Sequence, residues 1–532
     1  MAKKFSFSGI NGILLSNFLL QFGFSIVGIF IPLYIFKITN SFFWILWFYL
    51  LFNLVIIIST LPTAKLIARF GSDKISFAGA LVRLVFLIFL ILAGKNPFFF
   101  ILAAIFWGLA VPFCWIPFHL SIVGTDHTLS FGKDATKINF TNKIGVIAGP
   151  ILGGLIIQSF GFNALYSVSF VFIMLSGIPL FFDKYEFKFP EISFRAIKEN
   201  LPIRQMPRLF LGFFGAGLFN GFQEVVWPIY VFLLVGSYRF LGDITSIGLF
   251  GSFLLLAVVG QLADRFGSKI LKISVPLNIL NWLSRIFLTA PLSLFLINLA
   301  YQLVSIFVWI PLDQLSYQTA VQTKRLEYFL SREIAIHFGS FVAILILIFG
   351  LGLFGLNWPM AFVFSALSLL FILQLGFAKE EGVKSVGIAL IKKDGSILMQ
   401  LRDNDEITPG GVKNDIVFPG HWCLPGGKIK IGQTPEKAAF KELRKIIGYE
   451  AESFSFLTEE SYMLPIGKKV IRHIFWAEYD ESQEIKCLEG QRMEFLKPED
   501  LDKKEIFPGH KELYQKALQK FLNNKNAGIA RG

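Results

Sequence analysis

Cysteine is nearly absent from this chain of 532 residues: Cys114, Cys423 and Cys487 lie far apart, with no C-x-x-C spacing. That pattern offers neither a disulfide framework nor a thiolate zinc site. Charge is scarce too. Lys, Arg, Asp and Glu make up 16% of the residues, against roughly 25% in an ordinary soluble domain, which excludes a single soluble globule. The scarcity is uneven, because residues 1–378 carry 25 basic and 13 acidic side chains and residues 379–532 carry 25 and 24. Almost the whole net charge of +13 therefore belongs to the apolar part. Basic residues flanking apolar spans are what cytoplasmic membrane loops carry, so the pI of about 9.4 does not indicate a nucleic-acid partner.

What abounds is apolar surface: 54% of the residues are hydrophobic, and 62 are Phe. Apolar stretches of some twenty residues, enough to cross about 30 Å of hydrocarbon, recur twelve times. They run approximately over 10–35, 43–64, 75–93, 97–123, 140–159, 163–182, 208–235, 244–262, 270–289, 291–315, 330–355 and 358–377. The first is too long for a cleavable signal peptide and lacks a small-residue cleavage site. A lipid bilayer is the expected partner. Twelve spans predict basic residues in every second loop. Twenty occupy the N-terminus and the even loops, whereas the odd loops hold Lys37, Lys95 and Arg239. This asymmetry puts both termini on the cytoplasmic side, in a bacterial-type plasma membrane.

The apolar part also repeats itself. Ile31-Pro32-Leu33-Tyr34-Ile35-Phe36 matches Trp227-Pro228-Ile229-Tyr230-Val231-Phe232, and Arg69-Phe70-Gly71-Ser72 matches Arg265-Phe266-Gly267-Ser268, both at an offset of 196. Pro97 and Trp115-Ile116-Pro117 pair with Pro291 and Trp309-Ile310-Pro311 at an offset of 194. Ordered matches at nearly constant offset predict two six-span halves, 1–182 and 208–378, joined by a basic linker over 183–207. Such halves usually face each other across a central substrate path. Here the residues resemble the major facilitator superfamily of secondary transporters. Gly260-Gln261-Leu262-Ala263-Asp264-Arg265-Phe266-Gly267-Ser268-Lys269 is similar to that family's cytoplasmic loop signature G-x-L-a-D-r-x-G-r-k. The resemblance implies a gate-latching role for Asp264 and Arg265, with Gly260 and Gly267 shaping the turn. In the first half Arg69 has its counterpart but Ala68 stands where Asp264 stands, so the implied latch is asymmetric. Gly145, Gly149, Pro150, Gly153 and Gly154 resemble the glycine-proline motif of the family's exporters and antiporters. Close helix packing accounts for it as well as export does.

Ionisable groups inside apolar spans cost roughly 2.5 to 3.5 kcal/mol on insertion scales and are functional candidates by default. Glu224, four residues before Pro228, is the most deeply placed acid and a candidate proton- or cation-coupling carboxylate. His119 and Asp313 each follow the repeated Trp-Ile-Pro by two residues and suggest a facing polar pair. Arg83, Arg285 and the cluster Arg332, Glu333 and His337 complete the set. For each, the alternative role is a structural ion pair between helices.

From Val383 the pattern changes to strand-like alternation. Ser385–Ile391 and Ile397–Arg402 flank an Asp394-Gly395 turn and predict a hairpin. A glycine-rich loop then leads into a helix ending at Gly448, strands over 452–463 and 469–479 follow, and a helix over 511–522 completes an α/β domain over 379–532. This tail resembles a Nudix domain, most specifically in Trp422-Cys423-Leu424-Pro425-Gly426-Gly427. The family box G-x5-E-x7-R-E-U-x-E-E-x-G-U, with U aliphatic, is matched by Gly427, Glu442, Leu443 and Gly448. It is not matched by Gln433, Lys441, Lys445, Ile446 or Tyr449. Positions 442, 445 and 446 share a helix face, where three carboxylates could hold Mg²⁺ against a diphosphate. Glu442 alone remains, a catalytic candidate only for a hydrolase, so no metal or other cofactor is expected unless the tail is active. Lys430, Lys441 and Lys445, with the Gly427 loop, are candidate phosphate ligands for a nucleotide-like molecule; a purely structural tail is the alternative. The expectation is a secondary transporter of a small solute with a ligand-binding tail; a membrane-tethered Nudix hydrolase is the runner-up. The sequence defines no oligomeric state.

Overall fold

The computed structural model describes residues 10–123, 131–179, 203, 206–355, 357–377, 383–402, 420–429, 433–463 and 469–529. The chain divides into two compact units, with the division between Ala378 and Lys379. The basic linker, apart from its residues 203, 206 and 207, lies outside the described residues, as do Lys430 and residues 1–9.

The first unit is helical. Its elements are α1 (Ile10–Val27), α2 (Ile31–Thr39), α3 (Phe42–Phe70), α4 (Ser72–Ala93), α5 (Phe99–Val123), α6 (Phe131–Ser176) and α7 (Pro207–Val235). They continue with α8 (Tyr238–Leu254), α9 (Leu256–Phe266), α10 (Leu271–Ser284), α11 (Pro291–Gln322), α12 (Arg325–Phe354), α13 (Trp358–Ser368) and α14 (Leu370–Gly376). Hydroxyls buried along these helices return to the preceding turn, as Thr60 does to Ile56 O and Thr63 to Ser59 O, each at 2.7 Å. With no water in a bilayer core, that is how a polar side chain is satisfied without a partner helix. Large apolar side chains such as Phe287 and Phe160 remain exposed, at 81% and 77%, as lipid contact requires.

Among the described residues nine helices are long and apolar enough to cross a membrane, or ten if α8 and α9, bent by 50°, count as one span. The expected twelve differs for identifiable reasons. The fifth and sixth segments form the single element α6, 46 residues long and broken at Gly161, where φ is +80°. The ninth corresponds to α10, whose 14 residues reach about 21 Å at 1.5 Å per residue.

Helix pairing recurs along the chain. α1 lies along α6 as α7 lies along α12, α4 packs on α5 as α10 packs on α11, and α6 meets α8 while α3 meets α12. Missing side chains permit the closest of these approaches: a Cβ on Gly149 or Gly153 would collide with Ser25 or Ile26, and one on Gly217 or Gly339 with the backbone of Ile336 or Phe214. Because Gly217 meets Ile336 and Gly221 meets Ala343, α7 and α12 run in the same direction.

The second unit is a sheet between two helices. Its elements are β1 (Val383–Ile391), β2 (Ile397–Leu401), β3 (Trp422–Cys423), β4 (Gly426–Lys428), α15 (Pro435–Ile447), β5 (Ser455–Met463), β6 (Lys469–Glu478), β7 (Arg492–Leu496) and α16 (His510–Ile529). The strand order is β3-β2-β1-β6-β5, with β4 also on β1 and β7 on β2. The hairpin turns at Gly395 with φ +86°, and β1 pairs parallel with β6 from Val383 opposite Val470. Alternation assigns the faces. Ile388, Leu390 and Phe475 pack with Leu443 and Ile447 of α15, while Ala389, Ile391 and Trp476 pack with Leu513 and Phe521 of α16. Strand β7 was not legible as a strand, because only its last residue, Leu496, is fully buried.

Candidate functional site

Within the helical unit a cavity of about 200 Å³ is lined from α1, α3, α5, α7, α8 and α11. Glu224 opens onto it and is exposed there, with neither a hydrogen bond nor an ion pair to any described residue. Arg285, just past α10, lines the same cavity with no exposed surface. Its guanidinium carbon lies 3.7 Å from the ring centroid of Trp227 and 3.9 Å from that of Trp282. One long hydrogen bond reaches Asn281 Oδ1 at 3.4 Å, and Nε and Nη1 have no partner. The polar wall beside them is ordered by hydrogen bonds: Trp227 Nε1 donates to Asn298 Oδ1 (3.0 Å), and Tyr301 donates to Gln223 Oε1 (2.5 Å). Arg83, the other buried arginine named from sequence, lies elsewhere, 5.0 Å from the Phe24 ring, with Nε and Nη1 unpartnered.

A second cluster joins α3 and α5 to α11 and α12, and Arg332 is its centre. Nη1 donates to His119 Nε2 (2.8 Å) and to Glu333 Oε1 (3.2 Å), and Nη2 donates to Asp313 Oδ1 (3.2 Å). Accepting at Nε2 leaves the His119 proton on Nδ1, 2.9 Å from the Tyr317 hydroxyl. His119 and Asp313 therefore do not face each other as a pair, as their symmetry-related positions suggested; a guanidinium stands between them. Glu333 is 5% exposed and also faces His337 Nε2 at 3.7 Å. On the other side of that ring Nδ1 lies 2.9 Å from Asn53 Oδ1. The Asn53 amide is oriented by its own donation to Tyr49 O at 2.8 Å, so both His337 nitrogens face acceptors. Arg332 lies over Phe213, 5.7 Å from its centroid. Phe213 precedes Glu224 by eleven residues on α7, about 16 Å along the helix, so Arg332 lies well away from Glu224; the other end of the cluster comes closer, because Asn53 is bonded to Tyr49, which lines the cavity.

The repeated loops share a geometry. Gly71 and Gly267 cap α3 and α9 with φ of +90° and +56°, and Arg69 and Arg265 each lie 5.2 Å from the ring of the Phe that follows. Neither arginine makes an ion pair with a described residue. The Asp264 side chain lies outside the described residues. Nothing would obstruct a Cβ on Gly260, so packing does not demand that glycine. On α6, by contrast, Gly145, Gly149 and Gly153 lie against α1, Gly154 against Tyr238 and Arg239, and the Pro150 carbonyl against Gly242. The motif thus seats α6 between α1 and α8.

In the second unit Thr434 caps α15 and Gly448 ends it with φ +71°. A Cβ on Gly427 would collide with the Glu442 carboxylate, so the loop and helix meet as the box pattern suggests. Lys445 is not a free positive charge: its ammonium lies 2.7 Å from Glu489 and 4.0 Å from Glu442. Glu489 and hydrogen bonding to it raise the Lys445 pKa against the opposing effect of burial. Ile446 is buried among the α15 core residues, and Lys441 is exposed. Sequence reasoning missed a basic cluster on the α16 face. Arg472 and Arg402 lie 5.2 and 5.7 Å from the Phe507 ring, and Arg472 also contacts Tyr462 and His510. Burial, reinforced by both arginines, holds the His510 pKa well below the usual histidine value. Its Nδ1 accepts from Leu424 N–H at 2.9 Å. The residues come from four separate segments, and no local motif announces them.

The Major Facilitator Superfamily model matches residues 13–325. The chain belongs to that superfamily. A NUDIX domain model matches residues 383–517, so a facilitator segment is fused to a C-terminal Nudix domain. The major facilitator superfamily transporter FucP, solved in an outward conformation, superimposes with a TM-score of 0.53 at 14% identity, over 69% of this chain and 98% of that one; this likeness concerns the fold. A MutT protein from Methanosarcina mazei Go1 is 18% identical over 28% of this chain and 99% of its own, with a TM-score of 0.22. Over 56 residues the chain is 39% identical to an 8-oxo-dGTP diphosphatase of Escherichia coli (strain K12), a match spanning 10% of this chain and 40% of that relative.

Members of the Nudix group typically use Mg²⁺, and the residues on α15 do not fit one. Among the described residues no three His, Cys, Asp or Glu side chains gather as a metal site, and the Lys445 ammonium stands between Glu442 and Glu489. Two further acids of this unit are engaged elsewhere, Glu459 with His473 and Glu460 with Lys516. Replacing Lys445→Glu removes the ammonium and adds a third carboxylate; the full chain should then gain Mn²⁺ binding by electron paramagnetic resonance, which the unaltered chain should lack. In the facilitator unit, Arg332→Met strands Glu333 in the apolar interior and should lower stability by about 3 to 5 kcal/mol. Adding Glu333→Gln should recover part of that loss, measured by thermal unfolding in detergent.

Proposed function

We propose that this facilitator is a proton-coupled exporter of a small solute, built of twelve spans in two six-helix halves, 1–182 and 208–378, with both termini in the cytoplasm of a bacterial-type cell. The repeated helix pairings favour the two halves, and the loop charges favour the orientation. The observation that carries the transport reading is the pairing of a polar cavity that holds an accessible carboxylate with an ion cluster centred on Arg332, farther along α7. In this reading solute binds beside Glu224, and the Arg332 cluster closes the path at the cytoplasmic ends of α5, α11 and α12. Release of Arg332 from His119 would part the halves there. Glu224 and His337 carry the coupling proton, the first because it is accessible and unpaired, the second because both of its ring nitrogens meet acceptors. The resemblance of the α6 motif to that of exporters favours outward transport.

The tail binds a nucleotide or another phosphorylated ligand and does not hydrolyse it. Its support is the pair of cations Arg402 and Arg472, which suits a phosphate group. The second reading, a membrane-tethered hydrolase of a nucleoside diphosphate derivative, has in its favour the likeness to the 8-oxo-dGTP diphosphatase. The Lys445 ammonium stands against it.

In energised everted vesicles, the carried solute should dissipate the pH gradient, and Glu224→Gln should abolish that proton movement; unchanged proton movement in this variant would remove Glu224 from coupling. For the tail, ADP should stabilise the full chain without Mg²⁺, and Arg402→Ala should weaken its binding about tenfold, the loss of one charge-assisted contact. Magnesium-dependent release of nucleoside monophosphate at ordinary turnover would overturn the binding-only reading.

A further inference from the structure

Two opposite charges line one cavity and leave each other unpaired. Arg285 is fully buried, and the rings of Trp227, Trp282 and Tyr301 lie at 3.7, 3.9 and 5.1 Å from its guanidinium carbon. Aromatic faces lessen the cost of burying a cation but do not satisfy N–H groups, and Nε and Nη1 have no partner. Glu224 opens on the same cavity with no hydrogen bond or ion pair. Had the cavity served packing alone, a direct ion pair would have been the least costly arrangement, since unpaired charges in a low-dielectric interior are strongly unfavourable.

We propose that the carried solute is a small zwitterion whose anionic group meets the free N–H edge of Arg285 and whose cationic group meets the carboxylate of Glu224. The inference rests on the transport reading and names its substrate class. Size agrees. A volume of about 200 Å³ is below the roughly 300–1,000 Å³ of pockets for drug-sized ligands, and fits a solute on the scale of an amino acid. Gln223, Asn298 and Tyr301 are held by their own hydrogen bonds, so they form a fixed polar wall and leave the two charges to select the solute. Planar guanidinium geometry favours a carboxylate, which it can engage through two parallel N–H groups.

The test uses the full chain in detergent and follows thermal unfolding with matched four-carbon probes: 4-aminobutanoate, butanoate, butylammonium and butane-1,4-diol, with glycine, alanine and 5-aminopentanoate to vary the charge separation. At least one zwitterion should raise the melting temperature, and the three probes lacking paired charges should not. Glu224→Gln should weaken the zwitterion at least about tenfold and should now let butanoate stabilise the protein, because the repelling carboxylate is gone. Arg285→Lys, which keeps the buried positive charge, should retain part of the zwitterion effect. Stabilisation by butanoate or the diol equal to that by zwitterions, a zwitterion effect that survives Glu224→Gln, or no response to any zwitterion would overturn the proposal. Counterflow in proteoliposomes separates the two failures. Carriage of a neutral or singly charged solute with zwitterions excluded would overturn the charge assignment and leave transport standing, whereas carriage of no class of solute would sink both.

Discussion

A guanidinium in an apolar interior must be answered by groups close at hand, and the answer given to Arg332 draws the helical unit together. His119 comes from α5, Asp313 from α11 and Glu333 from α12 itself. Glu333 leads on to His337 and, through it, to Asn53 of α3. One cation thus ties four helices whose residues lie as far as 284 positions apart in the chain. Because every partner except the half-exposed Asp313 is buried or nearly so, separating the helices would leave several charged or polar groups unanswered at once. An interaction of that kind holds firmly in one arrangement and gives way as a unit, which suits a closure that must open.

The same economy of polar groups explains the contrast with the cavity. There the charges are present and the partners are not: Arg285 has aromatic faces on its flanks and free N–H groups at its edge, and Glu224 stands open. Hydrogen bonds between Trp227 and Asn298 and between Tyr301 and Gln223 immobilise the wall around them. In the proposed reading a rigid polar wall with unanswered charges receives a solute, whereas Arg332 meets three side chains and leaves only its Nε without a partner.

In the second unit a single side chain changes the chemistry that the backbone would allow. The loop, the helix and its caps are those of the Nudix box, and Gly427 lies against Glu442 as a close loop-to-helix contact requires. Lys445 places a tethered ammonium beside Glu442 and Glu489. The pair it makes with Glu489 joins α15 to the segment before β7, a structural role that the sequence pattern could not reveal, since Glu489 lies outside the box.

Much of the fold was legible because it depends on local runs. Long apolar stretches predict helices wherever they occur, the Asp394-Gly395 turn predicts its hairpin, and the repeat at an offset of 196 marks related turns at Gly71 and Gly267. The exact span count was less legible, because α6 carries its break at one glycine and α10 is short. The loss of the box carboxylates was also written in the chain, since a missing acid needs no tertiary context to be missed. What tertiary structure alone decided was pairing: that Arg332 stands between His119 and Asp313, that Lys445 is neutralised, that Arg402 and Arg472 meet at Phe507, and that Glu224 and Arg285 share a cavity without touching. The physical reason is range. Hydropathy acts through neighbours in sequence, whereas the energy of a buried charge depends on whichever groups lie within a few ångströms in space, and those come from anywhere in the chain.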